Sequence, residues 1–138
     1  MGLDVGDRRV GIAVSDEAGT VAQGRGVYRR RGSEADLDAL AELCRREKAD
    51  RFVVGLPLHM HGGEGEEAHK VRAFGQALAG KTGLPVDYID ERLTTVEADR
   101  VLAQAGQHAA KRRQVRDELS AILILQAWLD RRRWQGRP

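Results

Sequence analysis

Residues 1–16 read MGLDVGDRRVGIAVSD, and this stretch decides the fold. Leu3 and Val5 flank Asp4 in the alternation of a strand, Gly6-Asp7-Arg8 supplies a turn, and residues 10–14 alternate apolar and small side chains as a second strand. A carboxylate carried by a buried strand is unfavourable unless a cation or a metal compensates it. Asp4 is therefore the first candidate functional residue, and the question becomes whether later segments bring further acids to it.

Working outward, residues 21–31 read as a third, edge-like strand interrupted by Gly24 and Gly26. Ser33 is expected to cap a helix running to about residue 48, with Leu37, Leu40, Ala41 and Cys44 at helical spacing. Residues 51–55 form a short apolar strand ending in Gly55-Leu56-Pro57, followed by a loop with His59, Met60 and His61. The next helix, 66–79, buries Val71, Phe74, Gly75 and Leu78, and Gly83 and Pro85 close it before a strand over 86–90. Thr94 and Glu97 make a T-x-x-E capping box for a helix reaching Ala105. Residues 107–114 carry charge without periodicity and are expected to be a mobile loop. The last helix, 115–131, is apolar almost all round from Ala121 to Leu125, the mark of core or of an oligomer contact.

The element order is thus β-β-β-α-β-α-β-α-α. Strands joined by short turns pair antiparallel, whereas strands separated by helices make right-handed parallel crossovers. The fold class is α/β: a mixed five-stranded sheet, three antiparallel strands plus two parallel, flanked by helices on both faces. With 138 residues the expectation is a single domain spanning 1–138. Ligands of such sheets gather at the carboxyl ends of the parallel strands, where Asp4, Gly55-Leu56-Pro57 and Asp90-Glu91-Arg92 fall.

Composition narrows the function. Aromatic residues are only 4%, too few for a surface that stacks a row of bases. The net charge of +2 conceals an uneven distribution. From residue 107 onward Lys111, Arg112, Arg113, Arg116, Arg131, Arg132, Arg133 and Arg137 outnumber Asp117, Glu118 and Asp130, and Arg25, Arg29, Arg30 and Arg31 form a second cluster. Such clustering fits a polyanionic partner or simply a solvated basic surface. The lone Cys44 offers neither a disulfide framework nor a zinc spacing and points to a reducing, cytoplasmic setting. The longest apolar run, 121–125, is too short to span a membrane, so no membrane partner is expected.

Two further acids stand beside Asp4. If Asp87, Ile89 and Glu91 share one face of their strand, Asp90 points to the other, which makes Glu91 the candidate. Asp117 shares a helix face with the small residues Ser120 and Ala121, which would let that helix lie close to the sheet near Asp4. Taken singly, Glu91 could just end its strand, and Asp117 could just complement a helix N-terminus. Together, three carboxylates suggest oxygen coordination of Mg²⁺ or Mn²⁺. Two such ions about 3.5–4 Å apart would activate water and stabilise the leaving oxygen in phosphodiester cleavage.

With these residues in view, the chain resembles the YqgF/RuvX family of RNase H-like nucleases, the pre-16S rRNA nuclease and Holliday junction resolvase-like proteins. The resemblance covers almost the whole chain and rests on Asp4-Val5-Gly6 with Arg9 and Gly11, on Val53-Val54-Gly55-Leu56-Pro57-Leu58, on the run from Asp90-Glu91-Arg92-Leu93-Thr94-Thr95 to Ala98, and on Asp117 with Ser120-Ala121. It implies that Asp4, Glu91 and Asp117 are the metal-binding catalytic acids, with Mg²⁺ or Mn²⁺ as cofactor, in a cytoplasmic enzyme. It also implies that Arg9, Arg92 and the Gly55-Leu56-Pro57 loop hold the nucleic-acid backbone. Two departures stand out. Only three residues precede Asp4, fewer than in the family's usual first strand, so a trimmed or misassigned start, a weakened sheet edge and an Asp4 near a frayed end are expected. His59-Met60-His61-Gly62 replaces the commoner Asn-Met-Asp-Gly, leaving no acid at position 61, and the two histidines read as solvated loop residues.

The expected activity is a metal-dependent endonuclease on structured nucleic acid: 5′-end processing of pre-16S rRNA in ribosome biogenesis, or resolution of branched DNA in recombination and repair. Lys111, Arg112, Arg113 and Arg116 would then track the backbone. A resolvase would require a homodimer with paired sites, which the apolar last helix permits. An actin-like phosphotransferase shares the Asp-x-Gly turn but needs a second lobe for which this length leaves no room. A non-catalytic nucleic-acid-binding module is the third class, and retention of all three acids argues against it.

Overall fold

A computed structural model of the chain describes residues 1–92, 100 and 109–135. These form β1 (Gly2–Val5), β2 (Arg9–Ser15), β3 (Ala22–Arg29), α1 (Ser33–Arg46), β4 (Phe52–Leu56), α2 (Glu66–Thr82), β5 (Val86–Asp90) and α3 (Ala109–Gln135). The capping box at Thr94 and Glu97 and its helix lie outside the described residues, as do the side chains of Lys111, Arg112 and Arg113.

The five strands make one sheet in the order β3-β2-β1-β4-β5. The meander β1-β2-β3 is antiparallel, and β1, β4 and β5 run parallel. This is the mixed sheet expected from the element order, with β3 at an edge. The first strand departs from expectation. Although it has only four residues, β1 is central, paired with β2 along its whole length and with β4 at Gly2 and Leu3. The Met1 ammonium donates to the Arg51 carbonyl at 2.7 Å, and Val53 N–H donates to the Met1 carbonyl at 2.8 Å. Pairing on both sides, rather than strand length, holds Asp4 in place.

Period-two alternation sorts the strands between two cores. Leu3, Val10, Ile12, Val14, Phe52, Val54 and Leu56 pack against Leu37, Leu40 and Cys44 of α1 and Val71, Phe74 and Leu78 of α2. Ala13, Val53 and Ile89 face the other way, onto Ala121, Ile124, Leu125 and Leu129 of α3. The apolar stretch of α3 is therefore core. Its approach to the sheet depends on Gly11, where a Cβ would run into the Asp117 carbonyl, so the space that this glycine leaves is filled by helix backbone.

Two local expectations are corrected. Ser33 does not cap α1. The cap position is Gly32, and the work falls to Asp36, which is fully buried. Its carboxylate accepts from the Arg31 amide at 2.8 Å, the Tyr28 hydroxyl at 3.0 Å and Arg30 Nε at 2.9 Å. Burial alone would raise its pKa, but these donors hold it below the ordinary carboxylate range. The expected loop over 107–114 is helical from Ala109 onward, so Lys111, Arg112 and Arg113 stand on α3. Ala, Lys, Arg and Gln are strong helix formers, and a helix extension needs no apolar stripe of its own.

Candidate active site

The site is built on the α3 side of the sheet, at the carboxyl ends of β1, β4 and β5. Asp4 lies on the face opposite Leu3 and pairs across the ladder with Gly11, the glycine against which the Asp117 backbone rests. Leu3 pairs with Val54, so Asp4 is level with Gly55 on the neighbouring strand. Glu91 follows β5, held by its amide donating to the Leu56 carbonyl at 3.2 Å. Its carboxylate lies over Gly55, where a Cβ would come within 2.8 Å of Glu91 Oε2 and 2.5 Å of Ile124 Cδ1. Strand parity thus separates Glu91 from Asp90 as expected. Asp90 instead binds Arg92, accepting from Nε at 2.9 Å, and that pairing lowers its pKa.

The electrostatics record this convergence. Burial, then the charge of Glu91, then that of Asp117, raise the Asp4 pKa to about 7, with Arg116 pulling the other way. Burial and the neighbouring Asp90 also raise that of Glu91. Burial and a neighbouring negative charge both disfavour the ionised form of a carboxylate. Asp117 is partnered differently: its Oδ2 accepts from Arg9 Nε at 2.7 Å. Among the described residues no group of three His, Cys, Asp or Glu side chains is arranged to hold a metal ion, and the Arg9 contact engages one of the three candidate acids.

The candidate basic residues have different surroundings. Arg9 is bound to Asp117. Arg92 is committed to Asp90 and, through Nη1, to the carbonyls of His59 and Met60 at 3.2 and 3.1 Å, so it ties the β4–α2 loop to the end of β5. Arg116 is half-buried and close enough to Asp4 to lower its pKa. His59 and His61 are exposed, with ring centroids 5.2 Å apart. Sequence reasoning missed Glu118, whose Oε2 accepts from the Gly26 amide at 2.6 Å and pins α3 to β3. The paired glycines of β3 were the available signal, because Gly24 leaves the room that the Glu118 carboxylate uses.

A sheet of this order, with helices on both faces and acids at the parallel strand ends, is the RuvC-type RNase H-like fold. The solved structure titled "T. thermophilus RuvC in complex with Holliday junction substrate" matches it with a TM-score of 0.62 over 99% of this chain and 96% of that one, at 14% identity. The family follows from sequence: a family model described as "RuvX: Holliday junction resolvase" matches residues 1–131, and the chain belongs to the RuvX family. It is 52% identical over 131 residues to a protein of Moorella thermoacetica, covering 95% of this chain and 94% of that one. It is 47% identical over 139 residues to one of Pelotomaculum thermopropionicum, covering 100% and 88%. Both relatives carry the name "Putative pre-16S rRNA nuclease". Among the described residues, no helix is long and apolar enough to cross a membrane.

Proposed function

We propose that this chain is a metal-dependent endonuclease acting at the 5′ end of precursor 16S rRNA, with Asp4, Glu91 and Asp117 as its catalytic acids. The observation that carries the reading is the convergence of Asp4, Glu91 and Asp117 beside Gly11 and Gly55, with the Asp4 pKa raised by burial and the other two acids. The donor chemistry suits a hard divalent cation, because all three side chains offer carboxylate oxygen. Asp4, Glu91 and Asp117 would hold Mg²⁺ or Mn²⁺. When bound, the ion supplies an electrophile for the phosphoryl oxygens and acidifies water.

The chain's own residues orient the substrate. Arg116 and the basic start of α3, with Lys111, Arg112 and Arg113, would attract the phosphate backbone, making binding strongly salt-dependent. Arg92 acts indirectly by fixing the loop that borders the site. The buried, unpaired thiol of Cys44 agrees with a cytoplasmic setting, and the two sheet-face cores agree with one domain over 1–138.

The description of the matched family model favours a second reading, resolution of Holliday junctions, for which a homodimer would have to pair two sites. One experiment separates the readings. Precursor rRNA, a four-way DNA junction and linear controls are incubated with protein and Mn²⁺ or Mg²⁺, alongside Asp4→Asn. Cleavage of precursor rRNA that disappears in the variant is the expected result. Preference for the junction, with dimers in solution, would favour the second reading, and cleavage surviving in Asp4→Asn would refute the assignment of Asp4.

A further inference from the structure

Arg9, a candidate nucleic-acid-binding residue, holds the candidate metal ligand Asp117, and its surroundings give that contact a role. In the β2–β3 ladder Arg9 stands directly opposite Arg29. Like charges facing each other across a ladder are destabilising unless an anion lies between or beside them. Asp117 supplies one carboxylate to Arg9, whose side chain stays 27% exposed, while Arg29 is exposed. Both arginines line a hollow of about 270 Å³ between β3 and the first described turns of α3, with Gly26, Gln114 and Glu118 among its walls. Glu118 shares this hollow and keeps its charge while its Oε2 accepts from the Gly26 amide at 2.6 Å, so once Asp117 leaves Arg9 one carboxylate faces two guanidinium groups.

Resting on the nuclease reading, we propose that Arg9 and Arg29 form a subsite for a backbone phosphate of the substrate, and that Arg9 exchanges Asp117 for that phosphate, releasing Asp117 to the metal. A guanidinium fork suits a phosphodiester at least as well as a carboxylate. Without nucleic acid, Arg9 competes with the cation for Asp117. With a phosphate in the hollow, the same guanidinium has another partner and the acid set is complete. Metal and substrate then load cooperatively, and by linkage each raises the other's affinity by the same factor.

The test reads metal affinity rather than cleavage. Free Mn²⁺ is followed by electron paramagnetic resonance during titration of wild type, Arg9→Gln, Arg29→Gln and Asp4→Asn. Each is titrated alone and with a phosphorothioate-substituted RNA duplex that resists cutting. Without RNA, Arg9→Gln should bind Mn²⁺ about tenfold more tightly than wild type, as expected for loss of a charge-assisted contact to one ligand. Arg29→Gln, which removes a nearby charge but not the Asp117 contact, should remain within about twofold. The duplex should tighten Mn²⁺ binding by wild type, do so less in Arg29→Gln, and have no effect in Arg9→Gln. Equal Mn²⁺ affinity in wild type and Arg9→Gln would overturn the exchange, as would equal tightening by the duplex in all three proteins. Failure of the nuclease reading looks different: Asp4→Asn would then bind Mn²⁺ as well as wild type does.

Discussion

Replacing Asp4 by Asn should stabilise this protein while abolishing its activity. In the folded chain Asp4 titrates at about 7, against 3.8 for an unperturbed aspartate, because burial and two neighbouring carboxylates oppose its charge. The folded state therefore keeps a proton that the unfolded chain loses near pH 4. The associated stability is fully present below pH 4 and is lost as pH rises toward 7. About three pKa units at 1.36 kcal/mol each set a ceiling of about 4 kcal/mol, and relaxation around the carboxylate reduces this to about 2–4 kcal/mol. Asparagine keeps the shape and never ionises. In EDTA at pH 8 the variant should therefore melt of order 10 °C above wild type. At pH 3.5 the two should melt together, because Asp4 is then neutral. Millimolar Mn²⁺ at pH 8 should raise the melting temperature of wild type and leave the variant unmoved. Thermal melts from pH 3.5 to 8 measure all three effects. A variant no more stable than wild type at pH 8, or one whose advantage persists at pH 3.5, would refute the electrostatic account.

Gly55→Ala places a methyl group against Ile124 Cδ1 and Glu91 Oε2 and should cost about 1–3 kcal/mol, with a larger relative loss of cleavage as Glu91 is displaced; denaturant melts and single-turnover cleavage measure the two. Asp36→Ala removes the buried acceptor shared by Tyr28, Arg30 and the Arg31 amide and should cost about 3–5 kcal/mol in urea unfolding. Because the Asp36 pKa is depressed, its contribution is present above the ordinary carboxylate value and fades as pH falls through the depressed one, so the difference between variant and wild type should shrink in acid. Arg92→Gln should speed hydrogen exchange in the 57–65 loop but leave the salt dependence of RNA binding unchanged, since its guanidinium is already engaged by Asp90 and by loop carbonyls.

The parts of this architecture that could be read from sequence are those governed by local periodicity. Alternation about Asp4 and the parity that favours Glu91 over Asp90 involve neighbours within one strand, and both hold in the structure. The observed bounds of β5 match those expected, because Gly83 and Pro85 punctuate its start. Long-range pairing was less accessible. A four-residue first strand looks frayed in isolation, yet β1 is secured from both sides by β2 and by a strand about 50 residues later. The Arg9–Asp117 contact spans 108 positions and depends on how closely α3 crosses Gly11, which no spacing rule encodes. Asp36 was overlooked because a charged residue in a first helical turn usually faces solvent. Here the preceding chain folds back over it and supplies four donors, from Tyr28, Arg30, Arg31 and Gly32.

The central place of β1 also bears on how the chain must assemble during synthesis. Residues 2–29 contain the complete β1-β2-β3 meander and leave the ribosome before β4, β5 and α3. At that stage one side of β1 is a bare strand edge, open to any other extended chain. It stays so until Phe52–Leu56 emerges, and the opposite face of the sheet stays uncovered until α3 is made. The strand that carries Asp4 is thus made before the other four strands of the sheet and is among the last to be enclosed. Mutations that weaken β4 or α3 should act mainly by prolonging that exposure, so that they reduce yield through aggregation before they alter the finished fold.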